Sequence, residues 1–249
     1  MSSGPSEATV GHDRTRTLLK NGTFLGGLPD AALDLLARRV HVAKFAKGAT
    51  IYTRGDAGDS MMIIVTGRVK ITNVTADAHE VVLNFLGKGD VLGEIALLDG
   101  RERTAGAVTL EATEVLVLQR RDALPVLTAH PDTLLEVIMV LCEKLRLASG
   151  IIESHTLDMA GRTASGLLRL VRQHGRQSKG GALIDLKLSQ RDLGNYLGLS
   201  RENVNRQLAA LREKGVISVD GANITIVDED ALTAIAEHDG EDVGLKPRA

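Results

Sequence analysis

Two groups of residues have the types and the spacing to do recognition chemistry. In the first, Gly93-Glu94-Ile95-Ala96-Leu97-Leu98 is followed by Arg101-Glu102-Arg103-Thr104-Ala105. Arg103 and the Thr104 hydroxyl pair a permanently charged fork with a neutral donor. That pair suits an anion with one negative charge and no titratable proton near neutrality, backed by main-chain amides near Gly93. A carboxylate beside such an anion repels it unless it is aimed at a hydroxyl, and Glu94 is suited to accept a hydrogen bond from one. On spacing alone the same Glu94 and Arg103 could instead form a surface ion pair. In the second group, Leu199-Ser200-Arg201-Glu202-Asn203-Val204-Asn205-Arg206 places Arg201, Glu202 and Arg206 within two turns of a helix. Arginine binds guanine O6 and N7 bidentately and glutamate accepts from cytosine N4, so a helix carrying all three could read base edges. Mere support of the helix explains one such residue more readily than three in register.

Other chemistries lack their residues. No G-x-S-x-G elbow, Walker loop or paired-His motif occurs, so catalysis is not expected. The single thiol, Cys142, cannot form an internal disulfide or supply a thiolate cluster. The seven histidines are scattered, with no i, i+4 pair beside a carboxylate, and no metal is expected. His79 is read as part of a solvated turn and Cys142 as a buried helical thiol, which disfavours a haem site. Aromatic residues make up only 2% of the chain, which disfavours recognition by base stacking but not groove reading.

The elements that must position these groups can be read from the apolar rhythm. Residues 2–11 are small and polar and read as a disordered lead-in. Pro29-Asp30-Ala31-Ala32-Leu33 begins a helix with Asp30 as a cap, and Leu33, Leu36 and Val40 keep helical spacing. Short β-prone runs follow at 50–53, 61–66, 69–74, 81–86, 107–110 and 115–118, separated by glycines, which predicts a β-sandwich, jelly roll or barrel. After Pro131, Leu134, Ile138, Leu141, Leu145, Ala148, Ile152, His155 and Met159 alternate at intervals of four and three. This is a coiled-coil seam, read as the contact of a parallel homodimer with His155 as a polar register element. Gly161-Arg162 marks a break, one more helix carries Leu167, Leu168, Leu170 and Val171, and Gly180-Gly181 end it in a loop. Ser189 then caps a helix over 190–197 that Gly198 closes, and Ser200 caps the next. Two helices joined by so short a turn make a helix-turn-helix, and 216–219, Asp220-Gly221 and 224–227 form a hairpin wing.

A chain of 249 residues with 43% hydrophobic and 25% charged residues has material for one or two globular domains. The longest apolar runs, such as Met61 to Val65, fall far short of the ~20 residues that cross a bilayer, so a cytosolic (cytoplasmic) chain away from the membrane is expected. The net charge of −2 is uneven: residues 162–214 hold eleven Lys and Arg against four Asp and Glu, whereas 215–249 hold two against eight. Such a basic stretch is what a footprint for a polyanion looks like, a solvated helical face being the alternative.

From about residue 24 to 230 the chain resembles the CRP/FNR family of bacterial transcription regulators, in its cAMP receptor protein branch. The stretch around Gly93 and Arg103 looks like that family's phosphate-binding cassette, and Leu199 to Arg206 like its recognition helix. The resemblance implies an α+β fold: a cyclic-nucleotide-binding β-roll (jelly roll) at 24–130, a dimerisation helix at 131–157 and a winged helix-turn-helix at 158–232. The lead-in at 1–23 and an acidic tail at 233–249 lie outside it. It implies a cAMP effector held by Gly93, Glu94, Ile95, Ala96, Arg103 and Thr104, with no other cofactor. Where relatives hold adenine with a Thr-Ser pair on the dimer helix, this chain has Ala148 and Ser149. Lys144 stands where relatives keep a basic residue near the phosphate. Thr104 beside Arg103 also resembles cGMP-selective domains, so cGMP or dual recognition stays open, as does DNA binding without any effector. The implied partners are double-stranded DNA with TGTGA-like palindromes, RNA polymerase and a second copy of the chain, which meets Leu134, Ile138, Leu141, Leu145, Ala148 and Ile152. Ser189 and Ser200 would contact phosphates, Arg201, Glu202 and Arg206 bases, and Asp158 and Gly161 would form the hinge.

Overall fold

The apolar runs at 61–66 and 115–118 are continuous rather than alternating, which marks strands covered on both faces. The structure, a computed structural model, describes residues 6–8, 11–20 and 24–237, and it bears this out. Its chain divides into two compact units, one through Leu145 and the other from Arg146.

In the first unit, β1 (Ser6–Ala8), α1 (His12–Lys20), a 3₁₀ turn (Phe24–Gly27) and α2 (Asp30–Ala37) precede a run of strands. These are β2 (His41–Phe45), β3 (Thr50–Tyr52), β4 (Ser60–Thr66), β5 (Val69–Val74), β6 (Glu80–Leu86) and β7 (Val91–Leu92). Then come α3 (Glu94–Asp99), β8 (Gly106–Thr109), β9 (Thr113–Gln119), α4 (Arg120–Ala129) and α5 (Pro131–Ser154), the last of which runs on past Leu145 into the second unit. One antiparallel sheet has the order β1-β2-β9-β4-β7 and the other β3-β8-β5-β6. Because side chains alternate along a strand, Ile64 of β4 and Val115 and Val117 of β9 join a core with Val69, Leu86 and Ala107 of the second sheet. Met61, Ile63, Val65, Leu116 and Leu118 point the other way, into a core with Leu19, Leu33, Leu36, Leu127 and Val137 of the helices. The fold is therefore a jelly-roll sandwich with one sheet backed by helices.

Several expectations are corrected here. The lead-in at 1–23 holds structure: β1 pairs antiparallel with β2, and α1 buries Thr15 and Leu19. Asp30 does not cap α2; Pro29 occupies the N-cap without a side-chain bond, and the Asp30 carboxylate pairs with Arg16 at 2.8 Å and Lys20 at 3.1 Å. Those cations hold its carboxyl below the usual range. Helix α4 forms despite the internal Pro125, because Ala123, Val126 and Leu127 are buried along it.

The second unit contains α6 (Met159–His174), β10 (Gly175–Ser178), β11 (Gly181–Ile184), α7 (Gln190–Leu197), α8 (Arg201–Glu213), β12 (Ile217–Asp220), β13 (Asn223–Ile226) and α9 (Glu229–Glu237). The sheet order is β10-β11-β13-β12, so the expected wing, β12 with β13, belongs to a larger sheet. Gly180-Gly181 lie at the β10–β11 hairpin rather than in a plain loop. The break in the helical path falls at 155–158, not at Gly161-Arg162, because α6 is already under way at Met159. Consequently His155 and Met159 do not continue the seam, and the long helix stops at Ser154 rather than 157. Helix α9 carries order as far as Glu237 into the segment read as a tail, whose residues 238–249 lie outside the described part.

Candidate functional site

The first group of candidate residues is assembled by α3 and the loop before β8. Gly93 stands at the α3 N-cap with φ +82°, in the left-handed region that a side chain strains. A Cβ there would also collide with Arg103 Nη1, so glycine is required twice over. Arg103 is buried at 4% exposure, a burial a guanidinium tolerates only when its donors are met. Nη1 donates to the Ser60 carbonyl at 2.6 Å and the Gly93 carbonyl at 2.9 Å, and Nη2 donates to Ser60 Oγ at 2.9 Å. The same group lies over the Tyr52 ring, 4.5 Å from its centroid. Burial pushes the Tyr52 phenol well above its ordinary range, Arg103 opposing that shift and Glu94 adding to it. The buried Arg103 Nε has no hydrogen-bond partner among the described residues.

Thr104, next in sequence, is exposed, as is Ile95, whereas Ala96 is buried. Glu94, the first residue of α3, is only 3% exposed. It does not pair with Arg103. Its Oε1 instead receives Lys144 Nζ of α5 at 2.7 Å, and the same ammonium donates to the Val91 carbonyl at 3.2 Å. Lys144 thus sits on the carboxylate. Ala148 and Ser149, further along α5, fall beyond the end of the first unit and are exposed. The residues present fit a ribose phosphate. An unpartnered guanidinium N–H and an exposed hydroxyl are donors of the kind an anion takes, and a carboxylate is an acceptor of the kind a sugar hydroxyl takes. Sequence reasoning missed Ser60 and Tyr52, which fix Arg103 from 43 and 51 residues away and carry no local signal.

Helix α5 displays two apolar rows side by side. Leu134, Val137, Val140 and Leu141 pack on the helix-backed core of the roll. Leu135, Ile138, Met139, Leu145 and Ile152 are exposed by 52–70%. Cys142 shares that exposed row, so it is not the buried thiol expected. Of the residues expected at the seam, Leu134 and Leu141 pack on the chain's own core, while Ile138, Leu145, Ala148 and Ile152 are exposed.

The second group is presented by α7 and α8. The Ser189 and Ser200 hydroxyls accept from the amides of Asp192 and Asn203, capping the two helices, and Gly198 ends α7 at φ +65°. Val204, Leu208 and Leu211 bury one face of α8, which leaves Arg201, Glu202, Asn205 and Arg206 together on the exposed face. Arg201 Nε donates to Gln190 Oε1 at 3.2 Å and Arg206 Nη2 to Asn203 Oδ1 at 2.9 Å, contacts that orient both guanidinia on the surface. Asn205 was not singled out from sequence, although its i+4 spacing from Arg201 was the available signal. Asp158 caps α6, accepting from the Gly161 amide at 2.7 Å, so the two expected hinge residues are bonded to each other.

Comparisons with known proteins agree with this geometry. Residues 42–130 match the cyclic nucleotide-binding domain and residues 161–235 the Crp-like helix-turn-helix domain. The chain is 30% identical over 219 residues to the "Cyclic AMP receptor protein" of Thermus thermophilus, covering 88% of this chain and 98% of that one. It is 29% identical over 216 residues to a "CRP-like cAMP-activated global transcriptional regulator" of Mycobacterium tuberculosis, covering 86% and 96%. Among solved structures it is similar to FixK2 from Bradyrhizobium japonicum, with a TM-score of 0.69, 23% identity and coverage of 79% and 96%. Among the described residues no cluster could hold a metal ion, and no helix is long and apolar enough to cross a membrane.

Proposed function

Because the chain belongs to the CRP/FNR family of transcription regulators, with a cyclic-nucleotide-binding domain and a DNA-binding helix-turn-helix, we propose that it is a homodimeric, cytoplasmic regulator. In this reading cAMP binding repositions two recognition helices on palindromic TGTGA-like sites. The observation that carries the ligand half is the buried Arg103 guanidinium, held by Ser60, Gly93 and Tyr52 with its Nε unpartnered, beside the exposed Thr104 hydroxyl. Arg103, Thr104 and the amides near Gly93 take the phosphate; Glu94 accepts from the ribose. Both relatives described above carry cAMP in their names, which favours that base. Ala148 offers no hydroxyl to an adenine, and the exposed Thr104 keeps cGMP or dual recognition as the second reading.

For the DNA half, Arg201, Glu202 and Arg206 share the exposed face of α8 and would read base edges, with Ser189 and Ser200 near phosphates. Two such helices on a two-fold axis meet half-sites about 34 Å apart, which is why an effector acting on the connecting helix can switch binding. The exposed row of α5 is the surface offered to a second copy. RNA polymerase is the further partner this role requires. Calorimetric titration with cAMP and with cGMP, with and without a TGTGA-palindrome duplex, tests the reading. Uptake of one nucleotide, tightened by the duplex, supports it. Duplex binding with no nucleotide uptake would make the chain a ligand-independent regulator. Arg206→Ala should relax discrimination at one guanine by about 1–3 kcal/mol, and a uniform loss across sequences would refute base reading by that residue.

A further inference from the structure

We propose that Met159 is a site of oxidation that governs base reading by Arg206; this rests on the DNA reading above. Met159 is the first residue of α6, and its place there is fixed twice. Asp158 caps the helix, and the buried Thr163 donates its hydroxyl to the Met159 carbonyl at 2.7 Å. The Met159 thioether sulfur lies 3.8 Å from Arg206 Nη2 of α8. The same Nη2 donates to Asn203 Oδ1 at 2.9 Å, so the guanidinium rests between one strong acceptor and one weak one. Met159 is 37% exposed, which leaves its side chain within reach of a reagent in solution. Of the other described methionines, Met61 is buried, Met62 is half-buried, and Met139 lies on the α5 row that a second copy would cover.

The reagent is a peroxide. A sulfur lone pair attacks one peroxide oxygen, and the S–O bond forms as the O–O bond breaks. A proton passes to the departing oxygen, so hydrogen peroxide leaves as water, the thioether being oxidised to a sulfoxide and the peroxide reduced. The product puts a strongly polar oxygen on the sulfur that already touches the arginine. A charge-assisted bond from Arg206 then replaces a soft contact. To reach a guanine, Arg206 must leave its acceptors. Leaving a thioether costs little, whereas leaving a sulfoxide costs a hydrogen bond to a charged group. That cost falls only on duplexes where Arg206 engages its base. Affinity for the cognate site therefore drops while affinity for a site lacking that guanine is kept, and oxidation narrows discrimination without abolishing DNA binding. Methionine sulfoxide is enzymatically reducible, so the change is reversible.

The test uses the full chain and its Met159→Leu and Met159→Gln variants, with hydrogen peroxide as oxidant and a thiol reductant afterwards to restore Cys142. Peptide mass spectrometry locates the added oxygen. Fluorescence anisotropy, with and without cAMP, compares a TGTGA-palindrome duplex with one in which the guanine sensed by Arg206→Ala is replaced. In the oxidised parent the cognate affinity should fall about tenfold, the scale of one bond to a charged group, while the altered duplex binds as before. Methionine sulfoxide reductase should restore the original ratio of the two affinities. Met159→Leu, which retains Met139 and Cys142, should give one ratio before and after peroxide. Met159→Gln carries a neutral oxygen acceptor on a side chain of similar length and should show the narrowed ratio untreated, which keeps the test open should peroxide unfold the chain; thermal melts check each sample. An equal loss on both duplexes would mean that α6 is disturbed as a whole and would overturn the proposal, as would a Met159 that stays unoxidised while Met139 is oxidised. A parent that does not discriminate between the duplexes overturns the base reading and this proposal together; a parent that discriminates equally before and after oxidation of Met159 overturns this proposal alone.

Discussion

Leu145→Gln should dissociate the proposed dimer while leaving each protomer folded. Leu145 is 68% exposed on α5 and belongs to the outward row. Fully burying a leucine is worth about 1.5–3 kcal/mol, so the two-thirds left exposed here has about 1–2 kcal/mol to gain from a partner. A two-fold axis uses the same position twice, which makes the loss about 2–4 kcal/mol per dimer and the rise in dissociation constant about 30- to 700-fold. Leu141→Ala is the matched control. Leu141 packs on the chain's own core, so truncation should lower the urea midpoint by the equivalent of about 1–3 kcal/mol and move the dimer constant by less than about threefold. Sedimentation velocity over a concentration series reads the dimer constant, and urea melts read the fold. The packing argument fails if Leu145→Gln leaves the dimer constant where it was, or if Leu141→Ala shifts it as far.

Three further outcomes follow from the geometry. Arg103→Ala should lower the unfolding free energy in a chemical melt by about 3 kcal/mol or more, because it strips the Ser60 and Gly93 carbonyls of their donor; Thr104→Ala, with its exposed hydroxyl, should weaken nucleotide binding while stability stays within about 0.5 kcal/mol of the parent. Ala78 adopts φ +62° at the β5–β6 hairpin, so Ala78→Gly should raise stability by about 0.5–1 kcal/mol in a chemical melt, and no gain would mean that the turn relaxes without cost. Hydrogen bonds from the Thr53 amide and hydroxyl hold the Asp56 carboxyl below its ordinary value. Its contribution is therefore present above about pH 4 and lost as pH falls through the lowered value, so parent and Asp56→Asn melts should differ at neutral pH and converge in acid.

The strands that the sequence revealed best are those with the simplest physics. The run at 61–66 is mostly apolar and that at 69–74 is rich in β-branched residues, with Gly67 at the turn between them, and both fold close to where they read. Helix α4 was hidden by Pro125, a local breaker overruled by tertiary burial of Ala123, Val126 and Leu127. The β10–β11 hairpin was hidden because Arg176, Gln177 and Ser178 carry no apolar alternation; its pairing is supplied by backbone bonds to β11 and from there to β13. On α5 the heptad rhythm was legible, but which of its residues pack on the chain's own core was not, since two apolar rows one residue apart differ only in what they pack against. At the cassette the residue types of Glu94 and Arg103 were readable. Their partners were not: Lys144 lies 50 residues from Glu94 and Ser60 lies 43 from Arg103, and nothing local links either pair.

The pairing of β1 with β2 has a consequence for handling the protein. A strand at the margin of a sheet offers unpaired amides and carbonyls to any extended chain that meets it. Ser6–Ala8 take up that role against residues Val42 to Lys44, and the opposite margin, β7, is only two residues long. Trimming the first ten residues, or threading a purification tag through them, would uncover the β2 backbone and make strand-to-strand aggregation the first failure of the preparation.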